Sequence, residues 1–177
     1  QWDTSSVTTM SYMFYGATSF SQSLCWDIPD DAATENMFSG CCTCDGCAAS
    51  ARAFTTTTLQ TAVTDWCSDA ATAAANYGDI SAWCTKEVTD MSSLFGTTWS
   101  GSAWVTGHCS TYATFNDNIS SWDVSSVSSM SCMFFGASSF SGSISSWDTS
   151  RVETMYRMFR SASAFNSDVS SWDVSRV

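Results

Sequence analysis

The chain has 177 residues, 44% hydrophobic and only 13% charged, which supplies a core but leaves a surface covered mostly by small neutral polar groups. Its net charge of −11 opposes a phosphate backbone and excludes nucleic acid as an expected partner. No apolar run of about eighteen residues occurs, so no membrane-spanning helix is expected.

From its N-terminus the chain repeats itself. WDTSSVTTMSYMFYGATSFSQSL begins at Trp2, WDVSSVSSMSCMFFGASSFSGSI at Trp122, WDTSRVETMYRMFRSASAFNSDV at Trp147 and WDVSRV at Trp172, with degenerate copies at Trp26 and Trp83. The period is 24 or 25 residues, the signature of a repeat architecture. Residues 1–57 read as the end of a first repeat block with a Cys-rich terminus. Nine cysteines, with Cys25, Cys41, Cys42, Cys44 and Cys47 crowded together, predict disulfides in an oxidising compartment. Zinc is the alternative for the CxxC of Cys44 and Cys47, but the single histidine, His108, is distant.

Residues 58–78 place Leu59, Ala62, Val63, Trp66, Ala70, Ala73, Ala74 and Tyr77 on one helical stripe, with Thr58 as N-cap and Gly78 as stop. This reads as a capping helix over the open end of a second block, 79–177. Cys67 on that helix and Cys84 beside the first repeat of the block are placed to pin one to the other; Cys25 is expected to pair into the cluster at 41–47. Cys109 is unassigned, and Cys132 occupies a variable position suited to a free or intermolecular thiol.

Within the second block, apolar residues recur at relative positions 0, 3, 5 and 8, as in Ile119, Trp122, Val124, Val127 and in Ile144, Trp147, Thr149, Val152. That is the spacing of a leucine-rich-repeat strand, and Met130, Met133, Phe134 and Ala137 follow at helical spacing. The expected fold is an α/β repeat solenoid, leucine-rich-repeat-like, with short parallel strands on one face, short helical turns and one internal capping helix. The array is expected to continue beyond both ends. Met10, Met13, Met91, Met130, Met133, Met155 and Met158 are expected in the core, and the repeat tryptophans in a stacked spine.

The WDVSSV, MxxMFxGAxSF and FNxxIxSW strings resemble those of the BspA-like leucine-rich-repeat surface proteins over about three quarters of the chain. The resemblance implies a curved solenoid and a role in attachment or recognition at a surface. One departure stands out: Val127 and Val152 occupy the position of the usual asparagine, so a different turn must satisfy the backbone there.

Two features carry the expected binding chemistry. An insertion at about 97–114 lies off the repeat lattice and holds Trp99 and Trp104, where aromatic residues can meet a partner. The outward positions of the expected strands form columns, Asp123, Asp148, Asp173 beside Ser125 and Ser150, which calcium or glycan hydroxyls could use. Against that stands a local bond from each Asp to the Ser two residues on. Asn118-Ile119-Ser120 is a candidate glycosylation sequon.

No GxSxG, HExxH or Walker-type loop occurs, and equivalent repeat carboxylates lack the unequal environments of an acid–base pair. The expected function is a non-enzymatic adhesion or scaffold module of an extracellular or cell-surface assembly, without a resident cofactor, bound to other proteins or copies of itself. The alternative is a binder of glycan or of a periodic surface such as ice, mineral or polysaccharide.

Overall fold

The computed structural model describes residues 6–13 and 53–177. Trp2, Trp26 and the candidate disulfide cysteines Cys25, Cys41, Cys42, Cys44 and Cys47 lie outside them.

The helical segment begins earlier than its apolar stripe suggests. Thr55, not Thr58, is the N-cap of α1 (Thr56–Ser68): its hydroxyl accepts from Thr58 N–H, and Thr58 Oγ1 accepts from Thr55 N–H, a reciprocal capping box. Asp69 then divides the segment. It caps the C-terminus of α1 and, through Oδ1 bonds from Ala71 N (3.1 Å) and Thr72 N (3.2 Å), the N-terminus of α2 (Ala70–Tyr77). A short polar side chain that bonds the following backbone competes with the helical ladder. The break re-aims the stripe: Leu59, Ala62, Val63 and Ala73 are buried, whereas Ala70 is exposed. Gly78, at φ 79°, ends α2 in the expected place. Tyr77 Oη donates to Asp65 Oδ2 (2.7 Å), tying α2 back onto α1, and Trp66 Nε1 donates to Asp117 Oδ2 (2.8 Å), tying α1 to the repeats.

The expected leucine-rich-repeat-like solenoid of short parallel strands and helical turns is not what the chain forms. Among the described residues, regular structure is limited to α1, α2, a 3-10 turn at Ile80–Ala82 and one antiparallel pair, β1 (Thr97–Trp99) with β2 (Trp104–Thr106). The supposed strand motif is two tight turns in succession. Trp122 N–H donates to Ile119 C=O (3.2 Å) and Val127 N–H to Val124 C=O (2.9 Å); Trp147 to Ile144 and Val152 to Thr149 repeat the pattern.

The spacing itself explains the difference. A strand returns to the same face every second residue, so positions 0, 3, 5 and 8 cannot all face inward from extended chain. An i to i+3 turn at each end brings position 3 beside 0 and 8 beside 5. Ile119, Trp122, Val124 and Val127 are accordingly all buried. The turn that closes on Val127 and Val152 also meets the backbone demand left by the missing asparagine.

The Met-Met-Phe segment is likewise turns, not helix. Tyr12, Ser93, Cys132 and Arg157 occupy the same repeat position, and all have φ between 56° and 61°. A left-handed residue in each copy stops a right-handed helix from propagating.

Equivalent residues of neighbouring copies nevertheless bond to one another. Single-residue parallel pairings join Asp90 to Ser129 and Ser129 to Thr154. Beyond them, N–H groups of Met91, Ser93, Phe95 and Thr97 donate to carbonyls of Ser129, Ser131, Met133 and Phe135 at 2.8–3.1 Å. The next copy continues the series through Met130, Cys132, Phe134 and Gly136 onto Thr154, Tyr156, Met158 and Arg160 at 2.8–2.9 Å. Trp122, Trp147 and Trp172 each donate Nε1–H to the carbonyl of the isoleucine that opens the preceding copy, Ile80, Ile119 and Ile144.

Inside these bonds run aromatic rows. Phe95–Phe115, Phe134–Phe140 and Phe159–Phe165 are stacked pairs with centroids 3.8, 4.1 and 3.9 Å apart, one pair per copy. The pairs stack in turn on their neighbours, Phe95–Phe134 at 5.8 Å and Phe134–Phe159 at 5.7 Å. Met91, Met130, Met133 and Met158 are buried among them as expected, but Met13 is exposed. Burial thins at the last copy, where Val169, Val174 and Val177 are exposed and Trp172 is half-buried.

Candidate functional site

The insertion forms a hairpin standing on the Met-Phe segments. Thr97 pairs with Thr106, Thr98 with Val105 and Trp99 with Trp104. Its tip is closed by Ser100, whose N–H and hydroxyl both donate to Ala103 C=O at 2.9 and 3.0 Å, with Gly101 supplying φ 92°. The root is pinched by Gly107 N–H to Gly96 C=O (2.9 Å) and His108 N–H to Ser93 C=O (3.2 Å). A Cβ on Gly96 would fall inside contact distance of the Cys132 carbonyl and Phe135 N, so only glycine lets the hairpin leave the core here.

The segment returning from β2 is fastened covalently. Cys109 is disulfide-bonded to Cys67 at the end of α1. Cys67 was expected to meet Cys84; the return path of the hairpin brings the sulfur of Cys109 to it instead, and Cys84 lies on the single-residue pairing with Ala53. Cys132 is buried and outside any disulfide, and burial pushes its thiol pKa up, with Arg157 pulling the other way.

Cross-strand pairing sets Trp99 and Trp104 on one face, ring centroids 5.3 Å apart. Neighbouring copies extend that face with residues the sequence did not single out. Trp104 packs on Phe135 at 4.8 Å. The Arg157 guanidinium lies 4.8 Å from the Trp104 ring and 4.9 Å from that of Tyr156, and Arg160 lies 5.3 Å from Phe135. Trp99 is 53% and Tyr156 57% exposed, and Thr106, two residues along β2 on the same face as Trp104, is exposed as well. Arg157 occupies the left-handed position of its copy, the one that Cys132 holds in the copy before. The available signal was the variability of that repeat position; the hairpin that covers it is not encoded by the repeat.

The Ser and Asp columns do different work. Asp123 Oδ1 accepts from Ser125 N (3.0 Å) and Ser125 Oγ (2.6 Å), and Asp148 and Asp173 accept from Ser150 N and Ser175 N at 3.0 and 2.9 Å. These are Asx turns, the local bond weighed against a ligand site. The side-chain bond from Ser150 holds the Asp148 carboxyl below its ordinary pKa, and the backbone bond from Ser175 does the same for Asp173. Ser146 and Ser171 hydroxyls donate to Ser120 and Ser145 carbonyls at 3.2 and 2.8 Å, and Ser121 donates to Ser81. The hydroxyl row is thus engaged with neighbouring backbone. No group of three or more His, Cys, Asp or Glu side chains suited to a metal forms among the described residues.

Asn118 is exposed, its Oδ1 accepting from both Ser120 N (3.1 Å) and Ser120 Oγ (2.8 Å). His108 sits half-buried at the hairpin root, where desolvation lowers its pKa and Asp90 partly opposes the shift. No described helix is long and apolar enough to cross a membrane.

Fold and site together define a tandem-repeat protein whose surface carries an inserted aromatic hairpin. A family model described as "Mycoplasma protein of unknown function, DUF285" matches residues 1–51 and 65–177, and the chain belongs to that family. No curated protein and no solved structure matches it.

Proposed function

We propose that the chain is a non-enzymatic protein-interaction module, of adhesion or scaffold type, in a BspA-like protein of an extracellular or cell-surface assembly. The observation that carries this reading is the exposed face of Trp99, Trp104, Tyr156 and Arg157, built by the hairpin on two neighbouring copies. Trp, Tyr and Arg are the residues that concentrate binding energy at protein interfaces, because each combines large contact area with a polar handle. A rigid scaffold bearing a projecting loop is the usual division of labour in recognition. The Cys67–Cys109 disulfide supports the extracellular setting, since such bonds persist where thiols are oxidised.

The test is site-directed cross-linking. A photoreactive residue in place of Thr106, which is exposed on the face of Trp99 and Trp104, presented to the extracellular and envelope proteins of the source cells, is expected to give discrete protein adducts. In the Trp99→Ala/Trp104→Ala background those adducts should fall at least about tenfold, as for loss of hot-spot side chains. Adducts of equal yield in both backgrounds would sink the reading.

A further inference from the structure

The chain has six basic residues against seventeen acidic ones, and two of the six, Arg157 and Arg160, border the hairpin face. Both guanidiniums lie over rings, Arg157 between Trp104 and Tyr156 and Arg160 over Phe135. Among the described residues neither is paired with a carboxylate; the ion pair of this region, Arg176 with Glu153 at 3.3 Å, uses a different arginine. Among the described residues, neither guanidinium donates a hydrogen bond, whereas Arg176 donates to Glu153. On a chain of net charge −11, with acids in nearly threefold excess, two arginines so placed lie against aromatic faces with no described carboxylate on their N–H groups.

Resting on the protein-interaction reading above, we propose that this face binds an acidic segment of a partner protein: Asp or Glu carboxylates on Arg157 and Arg160, with a neighbouring apolar side chain against Trp99. The guanidinium fork matches a carboxylate in two parallel hydrogen bonds, and stacking holds it in position before the partner arrives. At physiological salt, charges beyond about 8 Å are largely screened, so the two contacting arginines, not the distant acidic surface, decide the local match. Ring geometry favours a peptide over a saccharide. Trp99 and Trp104 are inclined at 56° and Trp104 and Phe135 at 60°, which makes a notch for side chains and not the flat platform on which sugar rings stack.

The test is direct binding of the full chain to synthetic peptides of about a dozen residues, each with one tryptophan or leucine and either four glutamates, four glutamines or four lysines, alongside an oligouronide of equal charge. The glutamate peptides are expected to bind, with the glutamine and lysine versions at least about tenfold weaker, the span of one lost charge-assisted bond. Arg157→Gln/Arg160→Gln should remove that preference while leaving the melting temperature unchanged. Should the double variant fold poorly, Arg160→Gln alone, at an exposed position, must show a partial loss of the same sign. Preference for glutamine or lysine peptides, glutamate-peptide binding that survives the arginine changes, or binding by the oligouronide alone overturns the proposal. Binding that is indifferent to charge but lost in Trp99→Ala/Trp104→Ala overturns the acidic specificity while leaving the interaction module standing. No peptide bound, together with no adduct from position 106, removes both.

Discussion

At the scale of single residues, the repeat is written in side-chain to backbone bonds. Asp and Asn two places before a Ser recur as Asx turns at Asp79, Asn118, Asp123, Asp148, Asp168 and Asp173, so each copy begins its turns with a local bond that needs no neighbour. The depressed carboxyl pKa values of Asp148, Asp168 and Asp173 mean that this contribution is present above the ordinary carboxylate pKa and is lost as the pH falls through the lower folded values. His108 acts in a separate window. Its folded pKa is lowered by burial, so the neutral form is favoured by folding; stability is full above about pH 6.5 and declines as acid forces the proton on. As the single histidine, it should dominate the slope of stability between about pH 7 and 5. Urea melts of His108→Gln across that range are expected to show a flatter slope than the parent, and an unchanged slope would contradict the assignment.

At the scale of elements, α1 and the hairpin are short and hold their positions through links to one another. α1 ends where Cys67 is bonded to Cys109, closing a loop 42 residues long that contains α2, the first turns of the second block and both hairpin strands. In the chain-entropy account such a loop stabilises by roughly 4 kcal/mol, with 2–4 kcal/mol the commoner measured effect. Cys67→Ala/Cys109→Ala, or reduction of the parent, should therefore lower the melting temperature by several degrees, and hydrogen exchange at Thr97–Thr106 should rise more than at Met130–Ala137. Equal protection in both forms would show that the hairpin is held by its root bonds alone.

At the scale of the whole molecule, the aromatic rows join the copies into one core. Phe134 is fully buried and touches Phe140 in its own copy, Phe95 before it, and Phe159 and Trp147 after it. Removing it opens a cavity shared by neighbouring copies, a loss of about 3–5 kcal/mol. Phe165, half-buried toward the less covered end, has fewer neighbours to lose. Denaturant unfolding should place Phe134→Ala well below Phe165→Ala in midpoint, and similar midpoints would argue that each copy folds on its own.

What the sequence determined by itself was the repeat, its buried positions and the helical segment that precedes the second block. Those follow from spacing and amphipathicity, and Ile119, Trp122, Ile144, Trp147, Leu59 and Val63 are buried where their pattern puts them. It also marked the insertion as foreign to the lattice. Burial pattern does not define backbone path, however: the same inward residues suit a bent strand or two joined turns, and the choice of turns depends on hydrogen bonds such as Val127 to Val124 and on left-handed residues whose φ no composition reveals. Tertiary structure alone decided that Cys67 meets Cys109 and not Cys84, because the hairpin carries residue 109 back over α1. It alone brought Arg157, more than fifty residues along the chain, over Trp104, since contacts between copies are set by how the turns stack and not by any local pattern.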